Sequence, residues 1–340
     1  MAQGTIYQPN TTRDHWGGPD SDVDQHLEDY TGIVDSRFQY TQIFGALSAQ
    51  RSVADRSNTV RVDRFNTSKV KGRKAGEAIE SQRVTSDKLN VIVECMMYIR
   101  NPIDWMDDWT APDRLVEMSR NNGTEFAIAY DEAHIIRLQK ARSWVAPDHL
   151  KPAFSDGMFV PATLKLTTAG VADLEANASA LVVAHGKIVE ALIKRRVPLT
   201  DMVTLVTPTV FTELVNHPKL INKDYVESNG DFADRRVVRV NGINVVECTT
   251  FPTAPITNHI LSTSTNANAF NATADDIKCE MIVFSKSQSL ITVTAQPFTS
   301  NFWKDNAEMC NVLDCYSMFT LDVRRPDTVG SVLITRADTP

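Results

Sequence analysis

The sequence predicts an α+β fold, and three observations predict it. Two long segments carry apolar residues at helical spacing. Several short segments alternate apolar and polar residues at strand spacing. The helices fall between an early pair of strands and a late group of strands, not in regular alternation with them.

The first helical segment runs from Thr110 to about Trp144, interrupted only by Gly123. Thr110-Ala111-Pro112-Asp113 is a start signal: threonine caps, proline is tolerated in the first turn, and the acid favours the positive helix end. Leu115, Met118, Phe126, Ala129, Ala133 and Ile136 form a stripe that Ile128 and Ile135 widen. Such a rod measures roughly 50 Å, about the diameter of a compact chain of this size. It predicts an elongated subunit with a spine, of the kind that tiles against copies of itself.

The other elements follow in order. Residues 1–20 are polar and read as a loosely held tail, and residues 21–50 as an extended arm with a short helix. Val60–Phe65 and Lys88–Val93 alternate as strands, separated by a polar stretch with Gly72 and Gly76 that is too long for a tight hairpin and reads as a projecting arm or lid. Residues 101–109 lead into the long helix, and 145–172 read as irregular, with prolines at 147, 152 and 161. A second helix spans about Asp173 to Arg196. Its stripe is Leu174, Ala178, Leu181, Val182, Ile188, Val189, Leu192 and Ile193, with basic residues at its negative end and Pro198 to stop it. Met202–Val206 is a buried-type strand, and Thr207-Pro208 caps and opens a short helix through Val215. Val237–Val240 and Ile243–Glu247 flank Asn241-Gly242, a hairpin-turn signal. Residues 252–275 form a loop. Strands are expected at 281–284, 290–294, within 310–321, and at 331–335.

Composition excludes several classes. With 340 residues, 42% hydrophobic and 23% charged, the chain has a globular profile. A net charge of -7 argues against a dedicated nucleic-acid binder. Five scattered cysteines without a C-x-x-C pair point to a reducing compartment, not to disulfides or zinc. The N-terminus lacks the apolar core of a signal peptide, and no apolar run is read as transmembrane, so no membrane partner is expected.

Chemistry is sparse. The nucleophile-elbow, zinc-protease, phosphate-loop and dinucleotide glycine motifs are all missing from the chain. His134 and His185 lie on predicted helices and read as structural or surface residues. Asp104, Asp107 and Asp108 read as acids near a helix N-terminus, not as a metal or acid/base set. Lys69, Lys71, Arg73 and Lys74 form the one basic run. It lacks interleaved aromatics and reads as salt-bridging to an acidic neighbour at least as readily as touching phosphate. No catalytic, cofactor-binding or metal residue is identified; the site residues are candidate inter-subunit contacts, Lys69, Lys71, Arg73, Lys74 and Glu77.

Five stretches carry a resemblance. Lys88–Val93 with Ile103–Asp107, then Gly123–Asp131, Val197–Pro208, Val240–Glu247 and Arg325–Val329 resemble, in order and spacing, the major capsid protein of tailed bacteriophages with the HK-ninety-seven-type fold. Within that group the chain is most similar to capsid proteins of short-tailed podoviruses, the T-seven-like branch. The matches span most of residues 21–335. The resemblance implies a domain plan: tail and arm over 1–50; extended β-loop over 53–95; peripheral domain over 96–197 and 276–340 with spine helix 111–143; axial domain over 198–275. It implies that Gly123 is a close-packing point and not a break.

It also implies a non-enzymatic shell protein, without cofactors, that self-assembles as hexamers and pentamers around double-stranded DNA. Expected partners are other copies, a scaffolding protein, the portal protein, packaged DNA held non-specifically, and a decoration protein. Expected location is the virion capsid, with assembly in the host cytoplasm. Some members of the fold crosslink neighbouring subunits. Lys69 or Lys71 occupies the position of the reacting lysine, but no matching asparagine and acid are identified, so crosslinking is not expected. The alternatives are an encapsulin-type compartment shell and a cytosolic α/β enzyme with a scattered site.

Overall fold

Most of the late strands form where the alternation places them, but the sheets extend well beyond what the sequence reading gives. The computed structural model describes residues 43–53, 57–110, 114–166, 173–217 and 239–338. The tail and most of the arm therefore lie outside the described residues. So do Ala111-Pro112-Asp113 of the helix start signal and Val237-Val238 of the hairpin. In chain order the elements are β1 (Ala49–Ser52), β2 (Thr59–Phe65), β3 (Ser86–Ile92), β4 (Met97–Asp104), α1 (Trp105–Thr110), α2 (Arg114–Ala141) and β5 (Met158–Leu166). They continue with α3 (Leu174–Lys194), β6 (Met202–Val206), α4 (Pro208–Val215), β7 (Arg239–Val240), β8 (Ile243–Glu247) and α5 (Ala274–Ile277). The last four are β9 (Cys279–Ser285), β10 (Leu290–Asp305), β11 (Cys310–Val323) and β12 (Val329–Asp338). Among the described residues, one unit comprises 95–129 and 296–319, the other 43–94, 130–295 and 320–338.

The larger unit is built on a six-stranded sheet of order β5-β12-β9-β6-β8-β7. Its middle strand β6 is buried along its whole length, which explains its continuous apolar run. Helix α3 lies on this sheet with Leu181, Ile188, Val189 and Leu192 in a core that includes Leu164, Val206, Leu214, Met281 and Val332. By length and composition α3 would also cross a bilayer, contrary to the expectation that no segment reaches that standard. Its buried face and its contacts with β5, β12 and α4 make it a core helix. Asp173 caps it by accepting from Ala176 N, and Leu174 and Ile193 lie outside the buried stripe. Thr207 caps α4 by accepting from Val210 N, with Pro208 in the first turn. Asn241 and Gly242 both take positive φ, 51° and 81°, the two left-handed positions of the turn joining β7 and β8.

Two proline-containing strands correct the reading. Residues 145–172 hold β5, parallel to β12, with Pro161 opposite Leu333. Residues 97–104 hold β4, antiparallel to β11, with Pro102 opposite Val312. Each is an edge strand, where a missing N–H faces away from the ladder and costs nothing. β10 runs to Asp305, well beyond the expected 290–294.

The long helix is corrected as well. α1 precedes it, and α2 ends at Ala141, with Ser143 N and Trp144 N bonding back to Lys140 and Ala141 carbonyls. In the smaller unit α2 packs on the sheet of β4, β11 and the second half of β10. Phe126 meets Phe298 edge-on at 5.0 Å, and Asn122 donates to Asn101 at 2.9 Å. In the larger unit it is buried almost all round: Asp131, Ala133, His134, Ile135, Ile136, Leu138 and Gln139 are buried and the charged Glu132, Arg137 and Lys140 are half-buried, so no fully solvated face remains.

α2 runs unbroken through Gly123, but the expected close packing there is not found. A Cβ at Gly123 meets nothing within 4 Å. Gly123→Ala is therefore expected to stabilise the unassembled subunit by about 0.5–1 kcal/mol through helix propensity. Thermal unfolding checks this; a lowered Tm would show that the glycine is needed inside the subunit.

Candidate assembly surfaces

Residues 57–94 of the larger unit form the feature most exposed for contact. β2 and β3 pair antiparallel from Thr59↔Ile92 to Phe65↔Ser86. Beyond the ladder the two arms stay side by side through single bonds. Asn66 N donates to Thr85 O at 2.9 Å, Lys69 N to Gln82 Oε1 at 3.1 Å, and Lys71 Nζ pairs with Glu80 at 2.8 Å. The tip is a turn closed by Glu77 N donating to Lys74 O at 3.2 Å, with Gly76 at φ 91° in its third position. Glu77 reinforces it twice: its carboxylate accepts from Lys74 N at 2.9 Å, and its carbonyl accepts from Arg73 at 3.3 Å.

Thus Lys69, Lys71, Arg73, Lys74 and Glu77 all sit on one arm and its tip, all exposed. The acidic neighbour expected for the basic run is, for Lys71, Glu80 on the facing arm of the same loop. An exposed pair of this kind contributes roughly 0–1 kcal/mol. The loop also carries apolar side chains that its own chain leaves in water: Val70 is 101% exposed, Ile79 80% and Phe65 61%.

The base of the arm is held by residues the sequence reading missed. Asn66 Nδ2 donates to His149 O at 3.1 Å and Lys151 O at 2.8 Å, and Asn66 Oδ1 accepts from Ala153 N at 3.3 Å. Arg64 donates to Arg324 O at 3.0 Å and Val323 O at 2.8 Å. Thr85 donates to His149 O. These partners lie far away in sequence and no local pattern announces them. Only Arg64, a cation inside a strand, was a signal.

The titratable groups are structural. His134 and His185 are buried, and desolvation lowers both to about 4, so they are neutral at physiological pH. Burial pushes the Cys279 thiol up to about 11, which leaves it unreactive. Burial raises Glu213 first, with the Glu280 carboxylate adding to it and Arg336 opposing. Asp107 and Asp108 fall in the first turn of α1, and Asp104 accepts from Met106 N at 2.9 Å, so the three acids take up a helix N-terminus. Among the described residues no three of His, Cys, Asp and Glu are grouped as metal ligands.

No family model and no curated protein sequence matches the chain. Solved structures do. The chain is 40% identical to a protein of the bacteriophage PhiM1 mature capsid, covering 98% of this chain and 99% of that one, with a TM-score of 0.77. The capsid structure of cyanophage P-SCSP1u matches over 98% and 100% at TM-score 0.76 and 17% identity, and a structure from Mycobacterium phage Che8 over 90% and 96% at 0.61 and 15%. The last two show the fold alone. A full-length match at 40% identity, on the fold the resemblance implied, carries more: the chain belongs to the family of tailed-bacteriophage major capsid proteins, structural shell proteins and not enzymes.

Proposed function

We propose that this capsid protein assembles as hexamers and pentamers into an icosahedral shell that encloses double-stranded DNA. The observation that carries the reading is its full-length, 40% identity to a protein of the PhiM1 mature capsid. Its place in the virion capsid follows from the family. Assembly in the host cytoplasm, a scaffolding protein, a portal protein and a decoration protein belong to the proposal.

Residues 53–95 act as the extended loop that lies across a neighbouring subunit, with Lys69, Lys71, Arg73, Lys74 and Glu77 as its contact residues. Residues 198–275 act as the axial domain, residues 96–197 and 276–340 as the peripheral domain. The net charge of -7 supports a container whose DNA must enter and leave. Electron microscopy of the protein expressed with its scaffold tests the reading. Closed icosahedral particles are expected; a protein that stays a small globule overturns it. Particles that pack an enzyme instead of DNA would make it an encapsulin-type compartment.

A further inference from the structure

α4 buries an acid beside its apolar face. Val210, Phe211 and Leu214 of this helix belong to the core of the larger unit, while Thr209 and Thr212 are exposed. Glu213 flanks the apolar arc, yet it is only 3% exposed. Its Oε2 is buried and has no hydrogen-bond partner among the described residues. Buried carboxylates are ordinarily met by a cation or by N–H donors, because an uncompensated charge costs far more in such a place than a neutral hydroxyl does.

The cation that acts on Glu213 is committed elsewhere. Arg336 of β12 pairs with both oxygens of Glu280 on β9, one of them at 2.6 Å. Glu280 also accepts from the hydroxyl of Thr207, the cap of α4, at 3.4 Å, and its carbonyl accepts from Thr207 N at 3.1 Å. Two carboxylates thus share the influence of one guanidinium where α4 meets β9 and β12. α3 also packs against α4, but it keeps Lys187, Glu190 and Lys194 exposed. A side chain from a second copy has no access to Glu213, because the chain itself covers it. A proton needs no such access.

We infer that Glu213 is a proton-binding site, and that the proton it holds keeps α4 seated on the six-stranded sheet. The site belongs to the single chain and needs no assembly. With the proton bound, the carboxyl is neutral and tolerates burial. Without it, a second negative charge develops near Glu280 and lacks a donor, and it gains hydration only if α4 moves off the sheet. Burial raises the carboxyl above its ordinary 4.5, Arg336 opposes this, and Glu280 adds to it. The folded value is the higher one, so the stability involved is fully present below 4.5 and is lost as pH rises through the folded value. The seat of α4 therefore loosens with rising pH.

Glu213→Gln supplies a side chain of the same shape that never ionises. Urea unfolding of the full-length, unassembled chain is measured for both forms at pH 5, 6.5 and 8. His217, four residues on, and the buried histidines titrate alike in both forms and cancel from the difference. Expected is a glutamine form more stable than the unmutated chain at pH 8, with an advantage that shrinks steadily toward pH 5. The ratio of the two folding constants changes by up to about tenfold per pH unit. An advantage independent of pH overturns the inference, since the carboxyl then holds no proton in the fold. A glutamine form that is the less stable at pH 8 also overturns it, since the carboxylate is then ionised and bonded.

Two further readouts separate the proton from the helix. The infrared difference between the two forms at pH 6 should contain the C=O stretch of one neutral carboxyl, which fades as pH rises; its absence sinks the proton site. Hydrogen exchange, corrected for its intrinsic pH dependence, should show α4 amides opening faster at pH 8 than at pH 6 in the unmutated chain and not in the glutamine form. Acceleration shared equally by every strand of the sheet would mean global unfolding, and would remove the role given to α4.

Discussion

Between pH 6.5 and about 4 the unassembled subunit is expected to lose stability steeply, before most carboxylates titrate. Three buried histidines cause this. His134 stacks on Phe44 at 4.8 Å, and its Nδ1 lies 2.7 Å from Tyr130 O. A carbonyl only accepts, so Nδ1 carries the proton and Nε2 accepts from Thr292 at 2.8 Å. His185 takes the other tautomer: Nδ1 accepts from Asn241 at 3.0 Å, and Nε2 donates to Thr204 at 2.9 Å. His259 Nδ1 accepts from Leu261 N at 3.1 Å. Each ring therefore spends its lone pair on a bond that protonation would break.

Burial lowers all three to about 4 from an ordinary value of 6.5. Because the folded values are depressed, the unfolded chain takes up protons first as pH falls. The stability is fully present above 6.5 and lost on the way to 4. The slope is roughly 1.4 kcal/mol per pH unit for each histidine, and the full loss about 3 kcal/mol for a ring as buried as His134. Urea unfolding at pH 7.5, 5.5 and 4.5 measures it. His134→Phe should remove about one histidine's share of the slope, since Thr292 keeps its bond to Ser48 at 2.6 Å. A stability that is flat from pH 7 to 4.5 would contradict the assignment.

Phe44→Ala is expected to cost about 3–5 kcal/mol, the range for a fully buried aromatic ring. Phe44 has no exposed surface and stacks between His134 and Phe284, the latter at 6.1 Å. Its backbone is clamped too: Ile43 N and Phe44 N donate to the two oxygens of buried Asp131 at 2.9 and 3.2 Å. The clamp holds residues 43–48 just before β1, which pairs parallel with β10 from Ala49↔Ile291 to Ser52↔Thr294. Asp131→Asn keeps one acceptor and should cost less, about 1–3 kcal/mol. Denaturant unfolding gives the loss, and hydrogen exchange should show β1 amides opening first in Phe44→Ala. A cost below about 1 kcal/mol would mean that the ring's burial is not what holds this segment.

Local patterns were legible wherever one short stretch contains its own cause. Asp173, Thr207-Pro208 and Asn241-Gly242 were read as caps and a turn, and the structure has them there. β2 and β3 were legible from alternation, and the polar span between them from its composition. β4 and β5 were not, because Pro102 and Pro161 read as breakers until the sheet order puts both strands at an edge. β10 was cut short because Gln296, Ser300 and Asn301 are polar, and a strand can keep its ladder where its side chains face water.

The candidate site divides the same way. The basic run Lys69–Lys74 was visible as composition. The Asn66 and Arg64 anchors were not, because their partners at 149–153 and 323–324 are brought near only by folding. By itself the sequence determined the helices, the caps and turns and the early strand pair, each set by neighbours within a few residues, and the family likeness, carried by the order and spacing of motifs along the chain. Only the tertiary structure decided that the second half of the spine helix is buried almost all round, that among the described residues a Cβ at Gly123 meets nothing within 4 Å, and which apolar side chains are exposed. Burial is a property of the whole chain's packing, and no short window contains it.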